Sequence, residues 1–223
     1  MRGRGQQMEQ PEQREPQQER SRVTQRKILD AAGQVLGETG WDGLVISKVA
    51  ATAGVSVGSV YERFTDKGGL VRAVQHDVLD AVDKDLRGAF ARLERAEQIP
   101  VADLIAVAVV ALAEQLARHR TVMGPLILRA ATDASLRERG NATSALAEEL
   151  FTSLLVARAH ELSCSDPATA VPVIFRTVFS TAMWQVMFGS ETGLQHEISE
   201  ERLLRELISM CQLYLLSPDG GRK

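Results

Sequence analysis

The stretch Ile46-Ser47-Lys48-Val49-Ala50-Ala51-Thr52-Ala53-Gly54-Val55-Ser56-Val57-Gly58-Ser59-Val60-Tyr61-Glu62-Arg63-Phe64 decides the fold. It reads as two short helices, Ile46 to Ala53 and Val57 to Phe64, around the turn Ala53-Gly54-Val55. Gly54 is free to take the left-handed conformation that stops the first helix. Ser56 carries the hydroxyl that caps the second. Two short helices so joined make a helix-turn-helix unit, whose second helix enters a DNA major groove with its first residues at base edges. Here those residues are Val57, Gly58 and Ser59. Gly58 and Ser59 are small enough to let the backbone approach the bases, while Val57 offers only apolar contact, as with a thymine methyl. Arg63, one turn past Ser59, has the fork geometry for guanine or phosphate. Tyr61 and Lys67 suit phosphate oxygens, and the Lys67 N–H adds a helix N-terminus.

Outward from this unit the pattern stays helical. Upstream, Ile28, Leu29, Ala32, Val35 and Leu36 repeat at i, i+3/i+4, i+7. Gly37 and Gly40 mark the end of that helix, and Trp41-Asp42-Gly43 reads as a turn. Downstream, Asp66 caps a long helix from Lys67 to about Leu93, roughly 35–40 Å at 1.5 Å per residue and long enough to join two domains. Helices are further expected over 101–119, from Leu126 to Ala131 after a break at Gly124-Pro125, and from Ser135 to Ser163. Asp166-Pro167 is a cap and first-turn pair for the next, with Pro172 either kinking it or starting it. The last runs from about Ser199 to Leu216. Residues 173–188 and this last helix are apolar over a wide arc, which needs cover on both sides: a core face plus a subunit interface, or full burial within one chain.

Composition sets limits. The 223 residues carry 26 Lys+Arg against 29 Asp+Glu, a formal net charge of −3. That excludes attachment to nucleic acid by bulk positive charge. The balance is uneven, however: residues 1–72 hold 11 basic and 9 acidic side chains. Aromatics at 4% and abundant Ala and Leu favour helices over sheet. Cys164 and Cys211 are too few and too far apart for a disulfide framework. His160 and Cys164 share a helical spacing but lack a second ligand pair, so packing accounts for them better than a metal. The longest uninterrupted apolar run, Leu104 to Ala113, is shorter than a membrane span of about 20 residues. The polar start, MRGRGQQMEQPEQREPQQER, has no apolar stretch, so no signal peptide is expected and the cytoplasm is the expected compartment. Gly54-Val55-Ser56-Val57-Gly58 also spells GxSxG, but a hydrolase elbow needs a strand before the serine, and an alanine-rich helix is expected there. No phosphate loop, HExxH or dinucleotide fingerprint appears. No enzyme activity, no cofactor and no metal are expected.

The run from Gly54 to Lys67 resembles the helix-turn-helix of TetR-family transcriptional regulators: Gly-Val-Ser, a small-residue helix start, then Tyr61, Phe64 and Lys67 in step. Ile28-Leu29-Asp30-Ala31-Ala32, Gly40-Trp41 and Lys48-Val49-Ala50 agree in order and spacing. The resemblance covers about residues 23–72. It implies an all-α fold: an N-terminal helix-turn-helix three-helix DNA-binding domain joined to a larger helical ligand-binding and dimerisation domain. It implies a homodimer, joined here through the last two helices, on a palindromic double-stranded operator, with no membrane. A small effector in the C-terminal core would move the fourth helix and release DNA, as a repressor would require. Matched residue by residue, Tyr61 and Lys67 fall on phosphate-contacting positions. Val57, Gly58, Ser59 and Arg63 fall on the base-reading face, and Ser47 on a position of the preceding helix that reaches a base.

The chain departs from the family pattern at three points. Leu44-Val45 stands where the family usually has a capping Thr or Ser. Ser47 replaces a longer basic side chain, and Val57 a polar one. Arg20, Arg22, Arg26 and Lys27 either approach the DNA backbone or minor groove or form a solvated helix start. The expected layout is a disordered extension over 1–21, the DNA-binding domain over 22–70, the effector-binding and dimerisation domain over 71–217, and a flexible tail over 218–223. Polar or bulky residues in apolar surroundings, His119, Met123, Arg129, Phe151, Arg176, Trp184 and Gln185, are candidates for the effector pocket. Scarce charge in these helices points to a hydrophobic or amphipathic effector. The competing reading is a helical ligand-binding or interaction protein with degenerate DNA binding.

Overall fold

A computed structural model describes residues 17–96, 98–189, 196 and 198–218. The regular elements among these residues are all helical: α1 (Gln17–Gly43), α2 (Ile46–Ala53), α3 (Val57–Tyr61), α4 (Lys67–Glu94), α5 (Val101–Arg118), α6 (Arg120–Ala130), α7 (Ala134–Val156), α8 (Pro167–Phe188) and α9 (Glu200–Leu216), with a 3₁₀ turn over Ala159–Glu161.

The helix ends follow side-chain chemistry. Ser56 accepts from the Ser59 N–H at the start of α3, Asp66 from Gly69 at α4, Asp166 from Thr169 at α8 and Ser199 from Arg202 at α9. Gly54 ends α2 in the left-handed region, φ 67° and ψ 36°, and α2 itself starts at Val45 without a side-chain cap. Gly40, at φ 66°, breaks α1 where the sequence placed its end. Gly37 does not end the helix. It is a contact point: a Cβ there would lie 2.7 Å from Thr121 Cγ2, so α6 crosses α1 closer than any side chain allows.

Boundaries depart from expectation in three of the longer helices. First, α1 begins at Gln17, so residues 17–21 of the expected disordered extension are helical; Gln, Glu and Arg are good helix formers and prolong an existing helix at little cost. Residues 1–16, and 219–223 of the expected tail, lie outside the described residues. Second, α6 runs through Gly124-Pro125 rather than starting after it. Pro125 forfeits one helical N–H, but a Cβ on Gly124 would stand 3.1 Å from the Val186 carbonyl, so the bare glycine lets α6 pack onto α8. Third, α7 stops at Val156 instead of Ser163. The chain leaves the helix so that the Ser163 and Cys164 N–H groups can both donate to the Leu215 carbonyl at the end of α9, 3.0 and 3.1 Å away. By contrast, α8 begins at Pro167 as the Asp166-Pro167 pair predicts, and carries Pro172 within it.

Two cores result. The first joins α1 to α4: Ile28, Ala32, Val35, Leu36, Leu44, Val49, Val60, Phe64, Leu70, Val71 and Val74. The second fills α4 to α9, with Leu79, Val82, Leu86 and Phe90 of α4 against Leu112, Phe151, Phe175, Val178 and Leu215. A ladder of rings, Phe90, Phe151, Phe175 and Phe179, crosses it with successive centroids 6.4, 5.7 and 5.2 Å apart. α4 spans about 42 Å and serves both cores. The expected division at 70/71 therefore falls inside one continuous helix. Leu126 of α6 and Leu136 of α7 also belong to the first core, not the second.

α8 and α9 keep a large apolar surface in the single chain. Val173, Trp184 and Phe188 of α8 and Met210 and Leu213 of α9 are exposed, with Trp184 and Phe188 in ring contact at 4.5 Å. By length and composition, with a mean hydropathy of 1.3, α8 is apolar enough to cross a membrane. No uninterrupted run reveals this, because Thr169, Arg176, Thr177, Ser180 and Gln185 divide it.

Candidate nucleic-acid interface and core cavity

α2 and α3 stand against α1 and the start of α4, and their outer surface is polar and open. Ser47, Val57, Gly58 and Tyr61 are exposed and Ser59 is half-buried. The Ser59 hydroxyl is paired with that of Ser56 at 3.0 Å, so the cap holds the first turn of α3 rigid. Gly58 has only Ser56 Oγ near a Cβ position, at 3.7 Å, which leaves its outer side clear. Leu44 is fully buried and serves packing, while Val45 is exposed and makes no cap.

Two expected contact residues are turned inward. Arg63 Nη1 donates to the Ser59 carbonyl at 2.9 Å and lies 3.5 Å from Glu62. Lys67 Nζ donates to the Trp41 carbonyl at 2.5 Å and sits 4.6 Å from the centre of the Trp41 ring. The ammonium of Lys67 thus fastens α4 to the end of α1. Arg26 is likewise tied down, to Asp30 at 2.6 Å and Asp77 at 2.7 Å. Ser56 follows a helix, α2, so the GxSxG reading has no strand to stand on.

The seven pocket candidates separate. A cavity of about 140 Å³ lies between α4, α5, α6, α7 and α8, and Met123 lines it together with Gln75, Leu79, Leu136 and Phe179. Gln185 lines a second, more open hollow of about 230 Å³ between α5, α8 and α9. The other five line neither. Phe151 is fully buried in the ring ladder as core packing. His119 joins α5 to α6 with its Nε2 buried and unpartnered. Arg129 has its guanidinium carbon 4.1 Å from the centre of the Trp41 ring. Arg176 is exposed, and Trp184 stands on the outer face of α8. Helical periodicity distinguishes inside from outside but not cavity from packed core.

Three features went unread in the sequence. The Trp41 cradle joins residues 26 and 88 positions apart, which no local pattern encodes. Beside the cavity, Arg139 reaches Asp80 at 2.8 Å and Asp83 at 3.0 Å, and Thr143 donates to Asp83 at 2.7 Å, tying α7 to α4. Gln75, almost fully buried, donates from Nε2 to the Leu136 carbonyl at 2.7 Å and has no partner for Oε1. That last residue did leave a signal: it is polar within the apolar series Val71, Val74, Val78 and Val82. Among the described residues no group of three or more His, Cys, Asp or Glu could hold a metal; His160 is exposed on the 3₁₀ turn beside Glu161.

The exposed, glycine-opened helix α3, held to α2 by a serine-capped turn, makes a helix-turn-helix unit. Residues 28–74 match the model of the bacterial regulatory proteins of the tetR family, so the N-terminal part of the chain is similar to that family's. The regulator BetI of Escherichia coli O139:H28 is 34% identical over 56 residues, which is 25% of this chain and 29% of BetI. The chain thus matches under a third of that relative's length. Over the whole fold, a tetR-family regulator structure from Mesorhizobium loti superposes with a TM-score of 0.66 at 20% identity, covering 86% of this chain and 96% of that one. The regulator FadR of Bacillus subtilis, solved in complex with stearoyl-CoA, superposes at 0.57 with 16% identity, covering 83% and 96%.

Proposed function

We propose that this chain is a transcriptional regulator that represses from a palindromic operator as a homodimer and is released by a small hydrophobic or amphipathic effector. The carrying observation is α4: its first turn stands beside the DNA-reading surface, and its middle forms a wall of the core cavity. A ligand that fits the cavity better in the DNA-incompetent form shifts the population toward release; one that binds both forms equally moves nothing. The bound stearoyl-CoA of the FadR relative supports a ligand as the signal. The exposed apolar residues of α8 and α9 favour a second copy of the chain as their cover, which places two α3 helices on one operator. The site of action is then the cytoplasm, without enzymatic chemistry, cofactor or membrane.

Tyr61→Ala tests this reading, since Tyr61 is exposed and its loss leaves the cores intact. Operator retention is expected to fall, with a shallower dependence on salt. Unchanged retention overturns the regulator. The second reading, a helical ligand-binding protein with degenerate DNA binding, is favoured by the inward-turned Arg63 and Lys67 and predicts that unchanged outcome.

A further inference from the structure

We infer that the 140 Å³ cavity takes a neutral ligand about the size of one six-membered ring, carrying one hydrogen-bond donor that it gives to Oε1 of Gln75. This rests on the effector reading and deepens it, because it names the chemistry of the ligand.

Size comes first. A cavity of about 150 Å³ lined by aliphatic and aromatic side chains holds a benzene molecule. The present cavity matches it, so the part of a ligand held within it is about one ring in size. Charge comes next. Its inner walls are aliphatic and aromatic side chains, Arg137 and Asn141 of its lining are exposed to water, and the hydroxyls around it are already engaged. Arg137 donates to the Ala130 carbonyl at 3.0 Å. Thr143 is held between Arg139 and Asp83. Ser144 donates to the Gly140 carbonyl at 3.1 Å. Arg137, the charged side chain in the lining, is exposed to water and donates to the Ala130 and Ala131 carbonyls, and no carboxylate lines the cavity, so a charge carried into the buried interior would enter without a buried partner.

One buried polar atom of the lining remains. The bond from Nε2 to the Leu136 carbonyl fixes the amide, since the reverse orientation would set two oxygens against each other. Oε1 is then a buried acceptor without a donor, on a side chain only 4% exposed that lines the cavity. A ligand hydroxyl or N–H fills that vacancy, which a purely apolar ring cannot do. Through Gln75 the ligand also touches the bond joining α4 to the first turn of α7, where Leu136 enters the first core.

Calorimetry of the full-length protein with phenol, toluene and benzoate, without DNA, is the test. Phenol is expected to bind, benzoate not. In Gln75→Leu the phenol-to-toluene affinity ratio should fall about tenfold, the size of one hydrogen bond. An unchanged ratio, preferred binding of benzoate, or no binding of phenol at millimolar concentration overturns the assignment. Should the variant not fold, a structure of the wild-type protein with phenol decides: the hydroxyl within hydrogen-bond distance of Gln75 Oε1 supports it, and a ring bound elsewhere overturns it. Operator release is read separately. Phenol binding without release would sink the effector reading and leave the ligand class standing.

Discussion

The guanidinium of Arg129 lies 4.1 Å from the centre of the Trp41 ring, and through it α6 grips the last turn of α1. Lys67 holds the same residue by its ring and its carbonyl. A cation against an aromatic face contributes about 0.5–2 kcal/mol, depending on how far it is desolvated. Arg129→Ala is therefore expected to lower stability by about 1 kcal/mol in urea unfolding followed by circular dichroism. Trp41→Leu removes both partners and should cost more than Arg129→Ala. Equal costs would mean that Lys67 gains nothing from the ring.

Gly58 separates folding from DNA contact. It lies in α3, where alanine is the better helix former by about 1 kcal/mol, and a Cβ meets no close neighbour in the free protein. Gly58→Ala should be as stable as the parent or more so, yet retain operator DNA less well, because the new methyl stands where the backbone approaches the bases. Thermal melting and gel retardation on one preparation test both halves. Lys67→Ala is a poorer probe, since it unfastens Trp41 as well.

Gly37 answers to packing. An added methyl would stand 2.7 Å from Thr121 Cγ2 and 3.1 Å from the Thr121 carbonyl. The carbonyl belongs to the backbone of α6 and cannot rotate away. Gly37→Ala should destabilise by about 1–3 kcal/mol, the usual cost of overpacking. Pairing it with Thr121→Ser should recover only part of the loss. Full recovery would assign the clash to the threonine methyl alone.

Acid should weaken the helix caps. Hydrogen bonds from Thr169 hold the Asp166 carboxyl below its ordinary 3.8, and bonds from Ser135 and Leu136 do the same for Asp133. A carboxyl lowered in the native state contributes stability above its unfolded pKa and loses it as pH falls through the native value. The difference in melting temperature between the parent and Asp166→Ala should thus be full at neutral pH and shrink below 3.8. A difference that persists in strong acid would show that the cap acts without its charge.

How much was legible follows from the range of each interaction. Gly54, Ser56 and Asp66 signal turns and caps within a few residues, and the helix-turn-helix was readable from them alone. Gly124-Pro125 misled for the same reason: as a local signal it means a break, and only the Val186 carbonyl beside Gly124 explains why the helix continues. Arg63 and Lys67 have the right side chains for DNA, but their present partners are the Ser59 carbonyl and Trp41, and the second depends on the tertiary fold. Met123 was found at the cavity and Phe151 was not, because an apolar face looks the same to the sequence whether it meets a ring or a void.

The first core borrows Leu126 and Leu136 from helices that lie fifty and more residues beyond its own last strongly local contact, and it shares α4 with its neighbour. The helix-turn-helix end is consequently no detachable module. A fragment cut after Glu94 would lack two of its own interior side chains and would bare the Leu79, Val82 and Leu86 face to water. Heating should melt both halves in one event, and a protease that opens either half should find the other already undone.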